Sequence, residues 1–115
     1  NAQATAFKAL HVKGSPLVLY NVWDAGTAKA VADAGAPAIA TGSWAVAAAQ
    51  GYGDGEAMPM ADALRNAEHT AEAVAVPVTV DFEGGYALTP TEVAVNAVLS
   101  ATNFSLPRLA GCFWK

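Results

Sequence analysis

Three short apolar runs, each opened by a proline, punctuate the chain: PLVLYNV at residues 16–22, PAIATGS at 37–43 and PVTVDFE at 77–83. Continuous runs of this length, rich in β-branched and aliphatic residues, predict strands of a parallel sheet covered by helices. Proline in a strand's first position removes no ladder hydrogen bond. Between the runs the apolar spacing becomes helical. In 24–35, Ala28, Val31 and Ala32 form a stripe, with Asp24 placed as N-cap and Gly35 where helices end. In 60–74 the stripe is Leu64, Ala67, Ala71 and Val74. In 89–101, Thr89 as N-cap, Pro90 at the first helical position and Glu92 three residues after the cap make a capping box. A short helix over residues 5–10 precedes the first strand. This β-α-β-α-β-α order predicts parallel strands joined by right-handed crossovers. The tail TNFSLPRLAGCFWK, 102–115, has neither periodicity nor turn logic, and Phe104, Leu106, Leu109, Phe113 and Trp114 would be costly to leave in water.

All three runs turn polar at their C-terminal ends. The first leads into Asn21, Trp23 and Asp24, the second into Thr41, Gly42 and Ser43, the third into Asp81 and Glu83. In parallel α/β folds these ends share one rim, where ligands bind. Strand alternation puts Thr79, Asp81 and Glu83 on one face and Val78, Val80 and Phe82 on the other. The apolar face suits packing against helices, and the polar face suits the inside of a barrel near its mouth. Two carboxylates so close repel one another, and burial raises the cost. A hard cation such as Mg²⁺ relieves both problems, being commonly held by one or two carboxylates with water and substrate oxygens. Gly84 and Gly85 then allow a sharp turn or close approach to a ligand. On spacing alone, the alternative of two solvated acids where a strand leaves the core stays open.

The segment 41–59, TGSWAVAAAQGYGDGEAMP, predicts a long Gly-rich loop, and loops of that length are usually functional. Gly42, Ser43 and Trp44 offer backbone N–H groups to a carboxylate or phosphate, while Asp54 and Glu56 add acid near the same rim. The competing reading is a helical Ala run over 45–49 followed by a Gly turn. His69 falls mid-helix on the surface, His11 and Cys112 lack partners at useful spacing, and Trp23 and Trp44 read as packing residues. No Walker loop, dinucleotide glycine fingerprint or nucleophile elbow is present.

Composition narrows the function classes. The 115 residues suffice for one small domain. They are 54% hydrophobic and 14% charged, far from a disordered composition. No run reaches the ~18–20 apolar residues of a membrane helix, and the start, NAQATAFKALHVKG, lacks a leader pattern. Net charge is −4, and Lys8, Lys13, Lys29, Arg65, Arg108 and Lys115 are scattered, which argues against nucleic-acid binding. A small anionic substrate therefore needs a metal or backbone N–H groups. The single cysteine, Cys112, is compatible with a reducing cytoplasm.

Taken in order, FKALHVKGSPLVLYNVWDAGTAKAVADAGAPAIATGS, GYGDGE and VPVTVDFEGGYALTPTEV resemble the isocitrate lyase and phosphoenolpyruvate mutase superfamily from about Phe7 to about Val93. The resemblance implies an α/β fold, a partial TIM-type (β/α) barrel of three parallel βα units with an N-terminal helix. Residues 1–100 correspond to the N-terminal part of a (β/α)8 barrel, and 101–115 form a divergent tail. It implies Mg²⁺ as cofactor and small α-keto or α-hydroxy carboxylates as substrates, with C–C or P–C bonds broken or formed through an enolate-like species. By the same resemblance Asp81 is the direct metal ligand and Glu83 reaches the ion through water. Asp54 is the catalytic acid of the loop after the second strand. Gly42, Ser43 and Trp44 hold the substrate's carboxylate or phosphonate, and Trp23 and Asp24 line the pocket.

A barrel of this type takes ~250 residues, and the family pattern stops near Ser100. A fourth-strand acid, a gating loop and a later substrate-binding Arg are not found. Two function classes follow. One is the N-terminal part of a Mg²⁺-dependent lyase or mutase, with catalysis by these residues alone weak or absent. The other is a non-catalytic half-barrel whose open edges favour pairing with copies of itself, so a homo-oligomer is expected.

Overall fold

A computed structural model describes residues 2–103 and 109–113, with side chains for 2–99. The three expected strands and the helices between them are present, with a further helix, α3, and a further strand, β4: α1 (Ala2–Ala9), β1 (Tyr20–Val22), α2 (Ala25–Asp33), β2 (Ile39–Thr41), α3 (Ser43–Ala49), α4 (Met60–Glu72), β3 (Val78–Asp81), α5 (Pro90–Asn103) and β4 (Leu109–Phe113). The four strands form one parallel sheet in the order β1-β2-β3-β4. Three βα units are therefore present, and the sheet is open rather than closed into a barrel. Tyr20 lies opposite Ile39, Ile39 opposite Val78 and Val78 opposite Leu109, with a register shift between Val78 and Thr79.

The strands are shorter than the apolar runs. The first run pairs only over its last three residues, and an isolated bridge between Val12 and Ser15 turns the chain ahead of it. The tail, in which no element was expected, supplies the fourth strand over Leu109–Phe113. Phe104, Leu106 and Trp114 lie outside the described residues, as do the side chains of Leu109 and Phe113.

One row of each strand faces the helices. Val22, Ile39, Val78 and Val80 pack with Ala28 of α2 and with Ala67, Ala71 and Val74 of α4 and its end, and Val31 and Ala32 close the cluster. The two helical stripes read from spacing are thus the two that reach the core. Burying each Val or Ile here contributes ~1.5–3 kcal/mol. Thr70 sits within the same helix face, fully buried, with its hydroxyl unpaired. At the other end of the chain, Phe7 of α1 is buried with its ring edge-on to His11, and the Gln3 amide donates to the Ala75 carbonyl (3.0 Å). This ties α1 to the entry of β3.

Helix starts follow their capping chemistry. Asp24 accepts from the Thr27 amide at 2.7 Å, while the Thr27 hydroxyl oxygen accepts from the Asp24 amide, a reciprocal box. Thr89 and Glu92 form the second, with the Thr89 hydroxyl donating to Glu92 Oε2 at 2.7 Å.

Candidate functional site

The rim is built where β1, β2 and β3 end. Asn21, Ala40 and Thr79 lie side by side across the sheet, on the face opposite the helix-packing row. Asp81 continues that row by one strand step, and its amide donates to the buried Thr41 hydroxyl (3.1 Å). This fixes the point where β3 leaves the sheet.

Asp81 is the junction of two loops. Its Oδ2 accepts from the Ser43 hydroxyl at 3.0 Å and lies 3.4 Å from the Ser43 amide, while Oδ1 accepts from the Glu83 amide at 3.1 Å. Ser43 opens α3, and its N–H has no partner inside the helix. Gly42, the N-cap, has no side chain to supply one, so the carboxylate arrives from the neighbouring strand. A side chain at 42 would meet the Asn21 amide nitrogen at 3.0 Å, so glycine there lets Asn21 close over the turn.

The strand-alternation argument holds for Thr79 and Asp81 but not for Glu83. The strand ends at Asp81, and Glu83 adopts a left-handed backbone (φ 54°). Its amide folds back onto Asp81, so its side chain is not the next member of the row. Asp81 and Glu83 nevertheless both line one small cavity of about 20 Å³ with Thr41, Ser43, Phe82 and Tyr86. That volume admits a single water-sized group. The larger groove, about 640 Å³, lies away from this chemistry. It is bordered by Leu10, Pro16, Val18, Tyr20, Val31 and Gly35 beside the free edge of β1, and among the described residues no carboxylate, imidazole or cation lines it. The carboxylates Asp81 and Glu83 border the small cavity at the rim, not the larger groove.

Three carboxylates converge on Tyr86. Burial, then the charges of Glu83, Glu56 and Asp81, push its hydroxyl up to about 12. Tyr86 also has a left-handed backbone, its ring is 5.3 Å from that of Phe82, and its amide donates to Glu56 Oε1 at 2.7 Å. The salt bridges among the described residues, Lys29 with Asp33 and Arg65 with Asp62, lie on the outer surfaces of α2 and α4 and bring no cation to the rim. All donors here are hard oxygens, the set Mg²⁺ takes. Among the described residues, no group of three or more His, Cys, Asp or Glu side chains is spaced to hold a metal ion. An ion here would rest on one or two carboxylates, with water completing its shell.

The remaining expected site residues fall as follows. Trp23 and Trp44 are 42% and 67% exposed, so neither is the packing residue its type suggested; both stand free at the rim. The Asp24 carboxylate is occupied as the α2 cap, and the Thr27 amide and hydroxyl hold it below the usual carboxylate range. Asp54 is exposed and meets no hydrogen-bond partner among the described residues. The segment after β2 is a helix, α3, rather than a continuous loop, and the Gly-rich portion begins only at Gly51. Tyr86 and Asn96 are participants the sequence reading did not single out, and Glu56, expected there only as acid near the rim, accepts the Tyr86 amide. Asn96 donates to the carbonyls of Gly85 (2.8 Å) and Tyr86 (3.2 Å), fastening the turn to α5. The available signal for Glu56 was the GDGE motif facing a second Gly pair at 84–85.

No helix among the described residues is long and apolar enough to cross a membrane. The phosphoenolpyruvate phosphomutase family profile matches residues 7–104. An uncharacterized protein of Mycobacterium tuberculosis is 37% identical over 93 residues, covering 77% of this chain and 34% of its own length. A candidate phosphonomutase of Burkholderia cenocepacia superposes with a TM-score of 0.88 at 48% identity, covering 97% of this chain and 44% of that one. The structure of 2,3-dimethylmalate lyase gives a TM-score of 0.78 at 26% identity, over 96% of this chain and 36% of that one. The chain thus spans about a third of the length of the curated relative it matches (34%).

Proposed function

Since the chain belongs to the phosphoenolpyruvate mutase and isocitrate lyase superfamily, we propose that its rim is the N-terminal part of a Mg²⁺-dependent lyase or mutase site for small α-keto or α-hydroxy carboxylates. The observation that carries the proposal is the Asp81 carboxylate, pinned by Ser43 and the Glu83 amide where β2 and β3 end. Asp81 and Glu83 would hold the ion, which when bound supplies Lewis-acid stabilisation of an oxyanion next to the substrate carbonyl.

The protein's own groups supply the rest. Gly42, Ser43 and Trp44 present the start of α3 to the substrate's carboxylate or phosphonate. Trp23 and Asp24, at the end of β1, border the same mouth. Asp54, left without a partner, is the acid free to exchange a proton with the substrate's hydroxyl or enolate oxygen. The Tyr86 hydroxyl, protonated at neutral pH like any tyrosine, would serve as a donor beside the charges of Glu83, Glu56 and Asp81.

Titration calorimetry with Mg²⁺ and oxalate, a small carboxylate of the proposed class, tests the reading. Wild-type chain should give binding heat that Asp81→Ala abolishes. Absence of heat in the wild type, or unchanged heat in Asp81→Ala, would overturn it. A second reading, a half-barrel that pairs with copies of itself, is favoured by Val18 and Tyr20, 62% and 63% exposed beside the free edge of β1. Light scattering tests it: a mass above the 11.7 kDa of one chain is expected, and a stable monomer contradicts it.

A further inference from the structure

Among the described residues, three non-glycine residues adopt the left-handed backbone: Glu56 (φ 61°), Glu83 (φ 54°) and Tyr86 (φ 55°). They belong to two different loops, yet all three meet at the rim. Backbone of this kind is uncommon outside glycine and persists where the surroundings over-determine it. Here one side chain fastens the two loops to each other. Glu56 Oε1 accepts the Tyr86 amide at 2.7 Å, and the same oxygen lies 2.9 Å from where a Cβ on Gly84 would sit. A Cβ at 84 would crowd the carboxylate at its donor and force the flexible end of Glu56 to shift. On the far side, Asn96 holds the carbonyls of Gly85 and Tyr86, so the turn is gripped from both sides.

We infer that Glu56 is a positioning residue: its carboxylate ties the Gly-rich loop after α3 to the turn after β3, and thereby sets Asp54 and Glu83 relative to Asp81. Each neighbouring acid has a different fate. Asp54, two residues earlier, is exposed and unpaired among the described residues, on the loop that Glu56 anchors. Glu83 is turned toward the cavity shared with Asp81 because the turn it opens is closed at Tyr86. The role needs an oxygen acceptor of glutamate length, not a negative charge, since the partner is a neutral amide. This inference rests on the proposed metal-site reading only for its consequence, not for the clamp itself.

Amide exchange by NMR on the full chain, paired with calorimetry using Mg²⁺ alone, separates the two. In Glu56→Ala the amides of Gly85 and Tyr86 should exchange about 10- to 100-fold faster, the loss expected for a hydrogen bond to a charged acceptor. Those of Val78–Val80 should keep their protection, which a general loss of stability would not allow. Glu56→Gln keeps the acceptor and should restore protection at Tyr86, while Glu56→Asp, one methylene short, should not. Mg²⁺ affinity should fall in Glu56→Ala and recover in Glu56→Gln. Unchanged exchange at Tyr86 in Glu56→Ala, or equal loss in Glu56→Gln, would overturn the clamp. No Mg²⁺ binding by the wild type would instead sink the metal-site reading and leave the exchange result to decide the clamp.

Discussion

Substituting alanine for Gly85 should cost more than any other Gly→Ala change in the left-handed turns, for two separable reasons. Gly85 has φ 81°, a conformation that costs an L-residue ~1–2 kcal/mol. Its missing Cβ would also stand 2.6 Å from Val93 Cγ1, 3.2 Å from Cγ2 and 3.3 Å from Cβ. Val93 cannot easily yield. A helical valine is held near one χ1 rotamer, and its backbone lies in the first turn of α5, fixed by the Thr89–Glu92 box and by the Val93 amide donating to the Thr89 carbonyl at 3.0 Å. Nor can Gly85 retreat, because its amide donates to the Phe82 carbonyl (2.9 Å) and its carbonyl accepts from Asn96 (2.8 Å). Overpacking of this kind adds ~1–3 kcal/mol.

The combined loss is therefore ~2–5 kcal/mol, a large share of the ~5–15 kcal/mol that stabilises a typical domain. Gly51 is the control. Its φ is 83°, but nothing lies within 4 Å of its Cβ position, so Gly51→Ala should show the backbone term alone. Urea unfolding followed by circular dichroism measures both. Val93→Ala should rescue part of the Gly85→Ala loss, giving a favourable coupling in the double-mutant cycle. Equal losses in Gly85→Ala and Gly51→Ala, within ~0.5 kcal/mol, would refute the reasoning.

Asp24→Ala should destabilise by ~1 kcal/mol through loss of the α2 cap, and Asp24→Asn, which keeps an acceptor oxygen, by less, as urea titration will read. The folded Asp24 carboxyl lies below its ordinary value of 3.8, so its contribution is full above that value and is lost as pH falls through the lower folded one; Asp24→Asn should flatten this acid limb. Absorbance titration at alkaline pH should find a tyrosine near 12 that disappears in Tyr86→Phe. Because that value is raised above the ordinary 10, the associated stability is intact below pH 10 and lost as pH climbs toward 12. Thr70→Val should be neutral or stabilising by up to ~1–3 kcal/mol in thermal melts, since it removes a buried hydroxyl that has no partner.

Elements whose local chemistry and long-range packing agree were legible in the sequence. The α2 and α5 starts could be named from Asp24 and from the Thr89–Glu92 pair because caps are settled within four residues. The core stripe Leu64, Ala67, Ala71 and Val74 was legible because helical spacing alone decides which face is buried, and all four are buried. Asp81 was placed by strand parity and its partner Ser43 by the shared rim. Parity failed at Glu83, where a left-handed residue ends the alternation, and no pattern of period two can announce that. Glu56 was legible only as acid near the rim, because its bond to the Tyr86 amide beside Gly84 joins residues almost thirty apart in sequence. The strand Leu109–Phe113 escaped notice because LAGCF has no β-branched residue and no alternation; it is recruited by the free edge of β3 rather than by its own propensity.

The central claim is that Asp81 and Glu83 face one another's ligand space beside Ser43 and hold a divalent ion there. Crystals grown with Mn²⁺ in place of Mg²⁺ test it most directly, since anomalous scattering marks the metal without reference to activity. The account predicts one strong peak within coordination distance of an Asp81 oxygen, on the Ser43 side of the rim, that vanishes in Asp81→Ala crystals. A peak only elsewhere on the surface, or none at saturating Mn²⁺, would contradict it.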